Sequence, residues 1–490
     1  MLFNSFSYLF FLLVVYFIYF YFNNFTKSKF AKIFLIGASL FFYSWWNPKY
    51  LPLILISITF NYLIGRKIVP DCFISKSNRK IILIIGISLN LLILLYFKYL
   101  DFFILNINFL SGSQLQIYKI ALPLAISFFT FQQIAFLIDC FLGKSKEYDF
   151  LNYVLFISFF PQLIAGPIVH HKQIMPQFKN TKKNNIKYKN IATGIFIFSI
   201  GLFKKVVIAD SLSPIVKSGF DVASNLSFVE SWLTSFAYTF QLYFDFSGYA
   251  DMAIGSALIL NIKLPINFNS PYKSNNLQDF WRSWHMTLGR FLKDYIYIPL
   301  GGNKSSNIRT SINLLITFLL GGFWHGAGWT FIFWGLLHGL GLIIYGFWRK
   351  ANLYLPKFIG WFITFNFINI TWVFFRANQW NDAIKIIRGM TGINGFCFPR
   401  IFERFVPFLV KENIEFGDLF KNIEVSNQLN FIGLIIICFV LTFFFQNTNQ
   451  MVSSLKPNWF YLFFTLTISL ISISFLGLQG SDSEFLYFNF

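Results

Sequence analysis

No Lys, Arg, Asp or Glu stands between Arg309 and Arg349, and the stretch is filled with Leu, Ile, Phe, Gly and Trp. A charge-free run of that length is enough for two bilayer crossings at about 20 residues each. Leu2 to Phe22 is another such run. It has no basic stretch ahead of it and no small-residue cleavage site behind it, so it reads as a retained span and not a signal peptide. Similar runs recur along the chain, so that 56% of residues are hydrophobic, 22% aromatic and only 12% charged. These proportions exclude a water-soluble globule of ordinary surface polarity. The backbone of a span in lipid must satisfy its own hydrogen bonds, and runs this long do so as helices. The expected fold class is an all-α polytopic membrane protein.

The net charge of +20 does not indicate nucleic acid, because the basic residues fall in short loops between apolar runs. That is the positive-inside pattern, and the bilayer is the partner it implies. Lys27, Lys29 and Lys32 follow the first run, and Arg66, Lys67, Lys76, Arg79 and Lys80 follow the third. Both loops are therefore expected in the cytoplasm, with the N-terminus outside and, by the count of spans, the C-terminus outside as well. Segment 150–169 has basic flanks on both sides, Lys144 and Lys146 before it and Lys172 to Lys189 after it. Pro161 and Gly166-Pro167 interrupt it, so it reads as a re-entrant element whose broken backbone must be buried in protein or line a cavity.

Chemistry is indicated by two Trp-His pairs, Trp284-His285 and Trp324-His325, in a chain with five histidines. An imidazole titrates near neutrality, and placing one at membrane depth is costly unless a reaction or pathway uses it. Phe280, Trp281, Trp284, Leu288, Phe291, Leu292, Tyr295 and Ile296 recur at three- and four-residue spacing, which predicts one amphipathic helix lying in the inner interface with His285 on its apolar side. Arg282, Arg290 and Lys293 take its polar positions. His325 falls near the tip of the charge-free hairpin. Gly321, Gly322, Gly326 and Gly328 around it remove side chains from the space beside the imidazole, which suits a substrate cavity. His338 is about 220° round an ideal helix from His325 and shares no face with it, so His338, His170 and His171 read as structural.

Asp245 and Asp251 lie between apolar flanks, and buried carboxylates there need partners, with Arg282, Arg290 or a histidine as candidates. Cys72, Cys140, Cys397 and Cys438 are far apart and form no Cys-x-x-Cys or Cys/His cluster, so neither zinc nor a disulfide framework is indicated, and no metal is expected. Nothing fits a serine nucleophile elbow or a P-loop. A histidine base acting between two substrates is the simplest chemistry left.

The residues carry a resemblance as well. LPLAISFFTFQQIAFLIDCF at 122–141, FFPQLIAGPIVHHKQIMPQF at 159–178, YFDFSGYADMAIGSALILNIKLPINFNSPY at 243–272, FWRSWHMTLGRFLKDYIYIPLGG at 280–302, LLGGFWHGAGWTFIFWGLLHG at 319–339 and TWVFFRA at 371–377 are similar to strings of the membrane-bound O-acyltransferase family. Within it they resemble the bacterial alginate O-acetylation and peptidoglycan O-acetyltransferase branch. The resemblance implies a ring of about ten to twelve spans, each near the usual length, with re-entrant and interfacial helices around a thinned central tunnel. The single domain then divides into N-terminal spans 1–119, a catalytic core 120–380, an extracytoplasmic segment 381–429 and C-terminal spans 430–490.

By the same resemblance, His325 is the essential catalytic histidine and His285 the second active-site histidine. The implied function is transfer of an acyl group, acetyl first, from a cytoplasmic thioester to an exported cell-envelope polysaccharide such as peptidoglycan or an alginate-like polymer, at the inner membrane of a bacterium. The thioester, acetyl-coenzyme A or an acyl carrier protein, is a substrate, and no bound cofactor is expected. Trp281, Trp284 and Trp324 would close the tunnel, with Arg282, Arg290 and Lys293 meeting the carrier's phosphates from below. A periplasmic or extracellular acetyltransferase partner completes the transfer in this branch. D-Alanyl transfer to teichoic acid is the enzymatic alternative. A transporter, or an inactive scaffold for a secreted acetyltransferase, is the alternative of another class.

Overall fold

The computed structural model describes residues 1–490 apart from 26–27, 146–148, 165, 180–185, 305, 401–402, 404–413, 421–427, 457, 480–484 and 487–490. The described chain is mostly helical, as the apolar runs require. One short parallel strand pair, Phe396–Pro399 with Ile414–Gly417, lies within the 381–429 segment. Most charged residues of that segment beyond Arg400 fall outside the described residues, as do Lys27, Lys146, Lys182 and Lys183 among the loop lysines.

Among the described residues, six helical stretches are long and apolar enough to cross a membrane: Phe6–Phe25, Lys76–Ser111, Tyr188–Val222, Trp329–Lys350, Lys357–Arg376 and Trp459–Leu478. Ile126–Phe141 and Asn430–Phe444 are apolar but shorter. These six are consistent with an all-α polytopic membrane protein, and other apolar runs are shorter or broken. Segment 150–169 is one of these. It forms the helices Phe150–Ser158 and Phe160–Leu163, with irregular backbone at Gly166–Val169, and nearly all of its described residues are buried. Broken backbone is thereby enclosed in protein, as its prolines and glycine led us to expect.

The chain divides into two compact units. The first comprises Met1–Leu202, Tyr249–Asn267 and Leu455–Phe490. Its helices are joined by interhelical polar contacts of the kind membrane bundles use. Asn61 and Asn90 bond each other through both amide groups at 3.1 and 2.7 Å, and Tyr8 donates to Ser256 Oγ at 2.8 Å. Gly194 and Gly255 let two helices touch, since a Cβ on either would stand within 2.8 Å of the other's carbonyl oxygen.

The second unit, Phe203–Gly248 and Phe268–Ser454, holds both Trp-His pairs. Its helical hairpin consists of Asn307–His325 and Trp329–Lys350. Ser306 caps the first helix by accepting from the Arg309 N–H, and the turn 326–328 follows His325 directly. Only the second arm is apolar enough to be a span by itself, because Asn307, Arg309 and Asn313 occupy the first turns of the other. The glycines of this hairpin serve packing. A Cβ on Gly322 would stand 2.3 Å from the Phe331 carbonyl oxygen, one on Gly335 2.3 Å from the Phe318 carbonyl oxygen, and one on Gly326 2.2 Å from the Phe331 ring. Gly322 and Gly326 therefore do not open the substrate space expected of them. Gly322, facing Gly335, brings the two arms into backbone contact, and Gly326 makes room for the Phe331 ring.

Candidate active site

His325 is the last residue of its helix and is buried. Three aromatic rings surround the imidazole nearly edge to face: Trp324 at 5.0 Å and 67°, Trp334 at 5.1 Å and 89°, and Phe375 at 5.1 Å and 74° between centroids and planes. Trp334 comes from the returning arm of the hairpin and Phe375 from the helix Lys357–Arg376. Rings packed this way fix the plane of the imidazole and keep bulk water from it. An imidazole held so has a fixed orientation within the site.

His285 differs from expectation in its backbone. The predicted single amphipathic helix is two, Leu277–Ser283 and Met286–Leu292, broken at Trp284-His285. His285 caps the second with φ 41° and ψ 52°, in the left-handed region. A non-glycine residue there costs on the order of 1–2 kcal/mol, and such strain persists only where the surroundings enforce it. The break lets consecutive side chains, Trp284 and His285, both be buried, which one amphipathic face does not allow. Phe246 meets the His285 ring edge-on at 4.8 Å, and Phe268 lies at 6.5 Å. Burial pushes the imidazole down to about 3. It is therefore neutral at physiological pH, suited to donating or accepting a hydrogen bond without carrying charge.

Ring contacts run continuously from one histidine to the other. Phe268 lies 5.1 Å from Trp284, Trp284 4.9 Å from Trp372, Trp372 5.7 Å from Trp334, and Trp334 packs on His325. Trp281 joins this cluster through Trp334 at 5.8 Å. Hydrogen bonds pin it: Trp372 Nε1 donates to Tyr272 Oη at 3.1 Å, and Tyr272 Oη donates to the Thr239 carbonyl at 2.8 Å. The structure thus brings together Trp281, Trp284, Trp324 and both histidines of the Trp-His pairs. Tyr272, Trp334, Trp372 and Phe375 belong with them. Sequence reasoning did not assign these four, although all lie inside the family-like strings.

Asp245 is buried, but neither Arg282 nor Arg290 is its partner. Lys205 Nζ reaches Asp245 Oδ1 at 2.6 Å and Asp210 Oδ1 at 2.8 Å. A π-turn over Lys204–Ala209 supplies this lysine, which no motif had marked. The next residue after Asp245 is Phe246, the ring that meets His285, so the buried ion pair anchors the wall of the site. Arg282 is exposed and faces Asp279 at 3.5 Å, the weak kind of surface pair. Arg290 and Lys293 are exposed as well, as a basic rim requires. Asp251 is buried in the first unit.

Among the described residues, one group has metal-ligand composition, namely Asp139, His170 and His171 of the first unit, with ligating atoms within 4.8 Å of one another. Lys172 N–H donates to His170 Nδ1 at 3.3 Å, so His170 Nε2 carries the hydrogen and donates to Asp139 Oδ2 at 2.7 Å. His171 Nε2 lies 2.9 Å from the same oxygen. The two histidines read as structural hold one carboxylate between the helix Ile126–Phe141 and the start of His171–Lys179. The four cysteines are free, with Cys140, Cys397 and Cys438 buried.

The sequence profile of the membrane-bound O-acyltransferase family matches residues 142–379. A peptidoglycan O-acetyltransferase of Helicobacter pylori is 46% identical over 100% of this chain and 98% of its own length. A probable alginate O-acetylase AlgI of Azotobacter vinelandii is 38% identical over 74% of this chain and 73% of its own. A teichoic acid D-alanyltransferase of Streptococcus thermophilus is 29% identical over 52% and 68%. The long strings around both histidines, the buried aromatic site and full-length similarity lead to one conclusion: this multi-pass chain is an acyltransferase and belongs to the membrane-bound O-acyltransferase family.

Proposed function

We propose that this acyltransferase moves an acetyl group from a cytoplasmic thioester to an acceptor hydroxyl for O-acetylation of a cell-envelope polysaccharide, with peptidoglycan as the first choice of polymer. The observation that carries this reading is the buried, ring-oriented His325, taken with full-length similarity to a peptidoglycan O-acetyltransferase. His325 takes the proton of the acceptor hydroxyl as its oxygen attacks the thioester carbonyl. The C–O bond forms, the C–S bond breaks, and the imidazolium returns the proton to the departing thiolate. Positioned acid–base catalysis of this kind contributes about 10²- to 10⁴-fold. His285, neutral, polarises the carbonyl as a hydrogen-bond donor, a role worth about 10²- to 10³-fold in comparable sites.

Arg282, Arg290 and Lys293 receive the phosphates of the donor, coenzyme A or an acyl carrier protein, from the cytoplasmic side. Trp281, Trp284 and Trp324 keep water from the thioester, while Asp245 secures the helix behind His285 and Asp251 serves the framework of its own unit. The acceptor arrives from the outer face, where an extracytoplasmic acetyltransferase passes the group on to the polymer. The membrane is the bacterial inner membrane, with both termini outside.

Mass spectrometry of ester-linked acyl groups on purified peptidoglycan and surface polysaccharide tests this. Cells with the intact gene, the deletion and His325→Ala are compared. The expected result is loss of acetyl from one polymer in both mutants. Acetyl content within threefold of wild type in His325→Ala rejects the mechanism. Loss of D-alanyl esters instead establishes the second reading, teichoic acid D-alanylation, which the S. thermophilus relative favours.

A further inference from the structure

His338 lies on the returning arm of the hairpin, wholly buried, and has no part in the chemistry above. Its hydrogen-bond partners fix which ring nitrogen carries the proton. An indole N–H only donates, and Trp281 Nε1 points at His338 Nδ1 at 3.2 Å, so Nδ1 is the acceptor. Nε2 then carries the hydrogen and donates to Thr371 Oγ1 at 3.1 Å, whose hydroxyl donates to the Ile368 carbonyl at 2.8 Å. Three helices are tied in one direction by this relay, and an imidazolium cannot accept the Trp281 bond. The same ring meets Trp334 at 4.7 Å and 61°, on the indole that packs against His325 at 5.1 Å. The helical-wheel argument that separated His338 from His325 fails because the turn 326–328 folds one arm back on the other, and both imidazoles then share Trp334.

We propose that His338 is a positioning residue for acyl transfer: a fixed neutral imidazole that holds Trp281 and Trp334 in the orientation that seats His325. This rests on the reading of His325 as general base. A displacement of about 1 Å at a reacting group costs about 10²-fold in rate, so releasing the two indoles is expected to lower turnover more than donor binding. A ring that only filled space would be replaced by Phe at little cost.

Membrane vesicles containing the full-length chain, with radiolabelled acetyl-coenzyme A as the probe donor, give kcat and KM separately. His338→Phe keeps the volume and removes the acceptor, and is expected to lower kcat at least about tenfold with KM within about threefold. His338→Asn places an amide oxygen where Nδ1 stood and is expected to recover kcat to within about fivefold of wild type. Trp281→Phe is expected to match His338→Phe, and the double variant to fall no further than about twofold below either, because the two act as one unit. If His338→Phe does not fold, Thr371→Val and Trp281→Phe break the same relay at nearly constant volume and are expected to show the same kcat loss with KM unchanged.

Wild-type kcat in His338→Phe overturns the proposal, as do multiplicative losses in the double variant. Equal inactivity of the Asn and Phe variants also overturns it, in favour of His338 acting itself as acid or base. His325→Ala is measured alongside. Full turnover there rejects the base assignment, whereas an inactive His325→Ala beside a fully active His338→Phe rejects the positioning role alone.

Discussion

At the scale of single residues, His285 is the most constrained side chain of the site, buried and left-handed. Asn tolerates that backbone better than other side chains that keep a polar group. His285→Asn is expected to lower kcat by about 10²-fold while leaving the acid limb of the pH–rate profile where it is, since the wild-type imidazole does not titrate near neutrality. Stability carries the sign of the same shift. The folded ring is held down at about 3, whereas the unfolded chain takes up a proton near about 6.5. Stability present above that value is lost progressively as pH falls towards 3. Thermal unfolding in detergent between pH 7 and 5 is expected to show a smaller decline for His285→Asn than for wild type, and equal slopes would reject this account. The two Trp-His pairs were legible because histidine is rare here and costly at membrane depth. Lys205 was not, because its partner Asp245 is far along the chain and basic residues are plentiful. Only folding shows which lysine is buried.

Helices were legible where a long apolar run sets them, as between Arg309 and Arg349, and illegible where the backbone departs from its period. Nothing in the spelling Trp284-His285 announces a left-handed residue, so the stretch reads as one helix. The glycines near His325 were seen, but their purpose was misjudged, because an absent side chain serves a cavity and a close helix contact equally well. Gly335→Ala separates these uses. Its Cβ would stand 2.3 Å from a backbone oxygen, and overpacking of this kind costs about 1–3 kcal/mol. Gly346→Ala on the same helix meets nothing within 4 Å and gains up to about 1 kcal/mol of helix propensity. Unfolding temperatures are therefore expected to move in opposite directions, with acylation lost only in Gly335→Ala. Parallel shifts would mean the seam is not tight.

For the molecule as a whole, membrane character and family were legible from long charge-free runs and long strings. The break of segment 150–169 was legible in its prolines and glycine, whereas the absence of charge beyond Arg309 hid that Asn307, Arg309 and Asn313 occupy the first turns of the hairpin's first helix. Orientation rests on the basic loops, and Cys72 offers a native probe of it. Cys72 is half-buried beside the Arg66–Lys80 loop residues, while the other three thiols are buried. A membrane-impermeant maleimide is expected to label the protein only after cells are opened, and to do so at Cys72. Labelling of intact cells that disappears in Cys72→Ser would reverse the assigned topology. The glycine seam of the hairpin has a mechanical consequence. Two arms in backbone contact cannot slide past one another, so the hairpin behaves as a single stiff strut with His325 fixed at its end. On the proposed mechanism, the base stays still during turnover and its two substrates do the travelling.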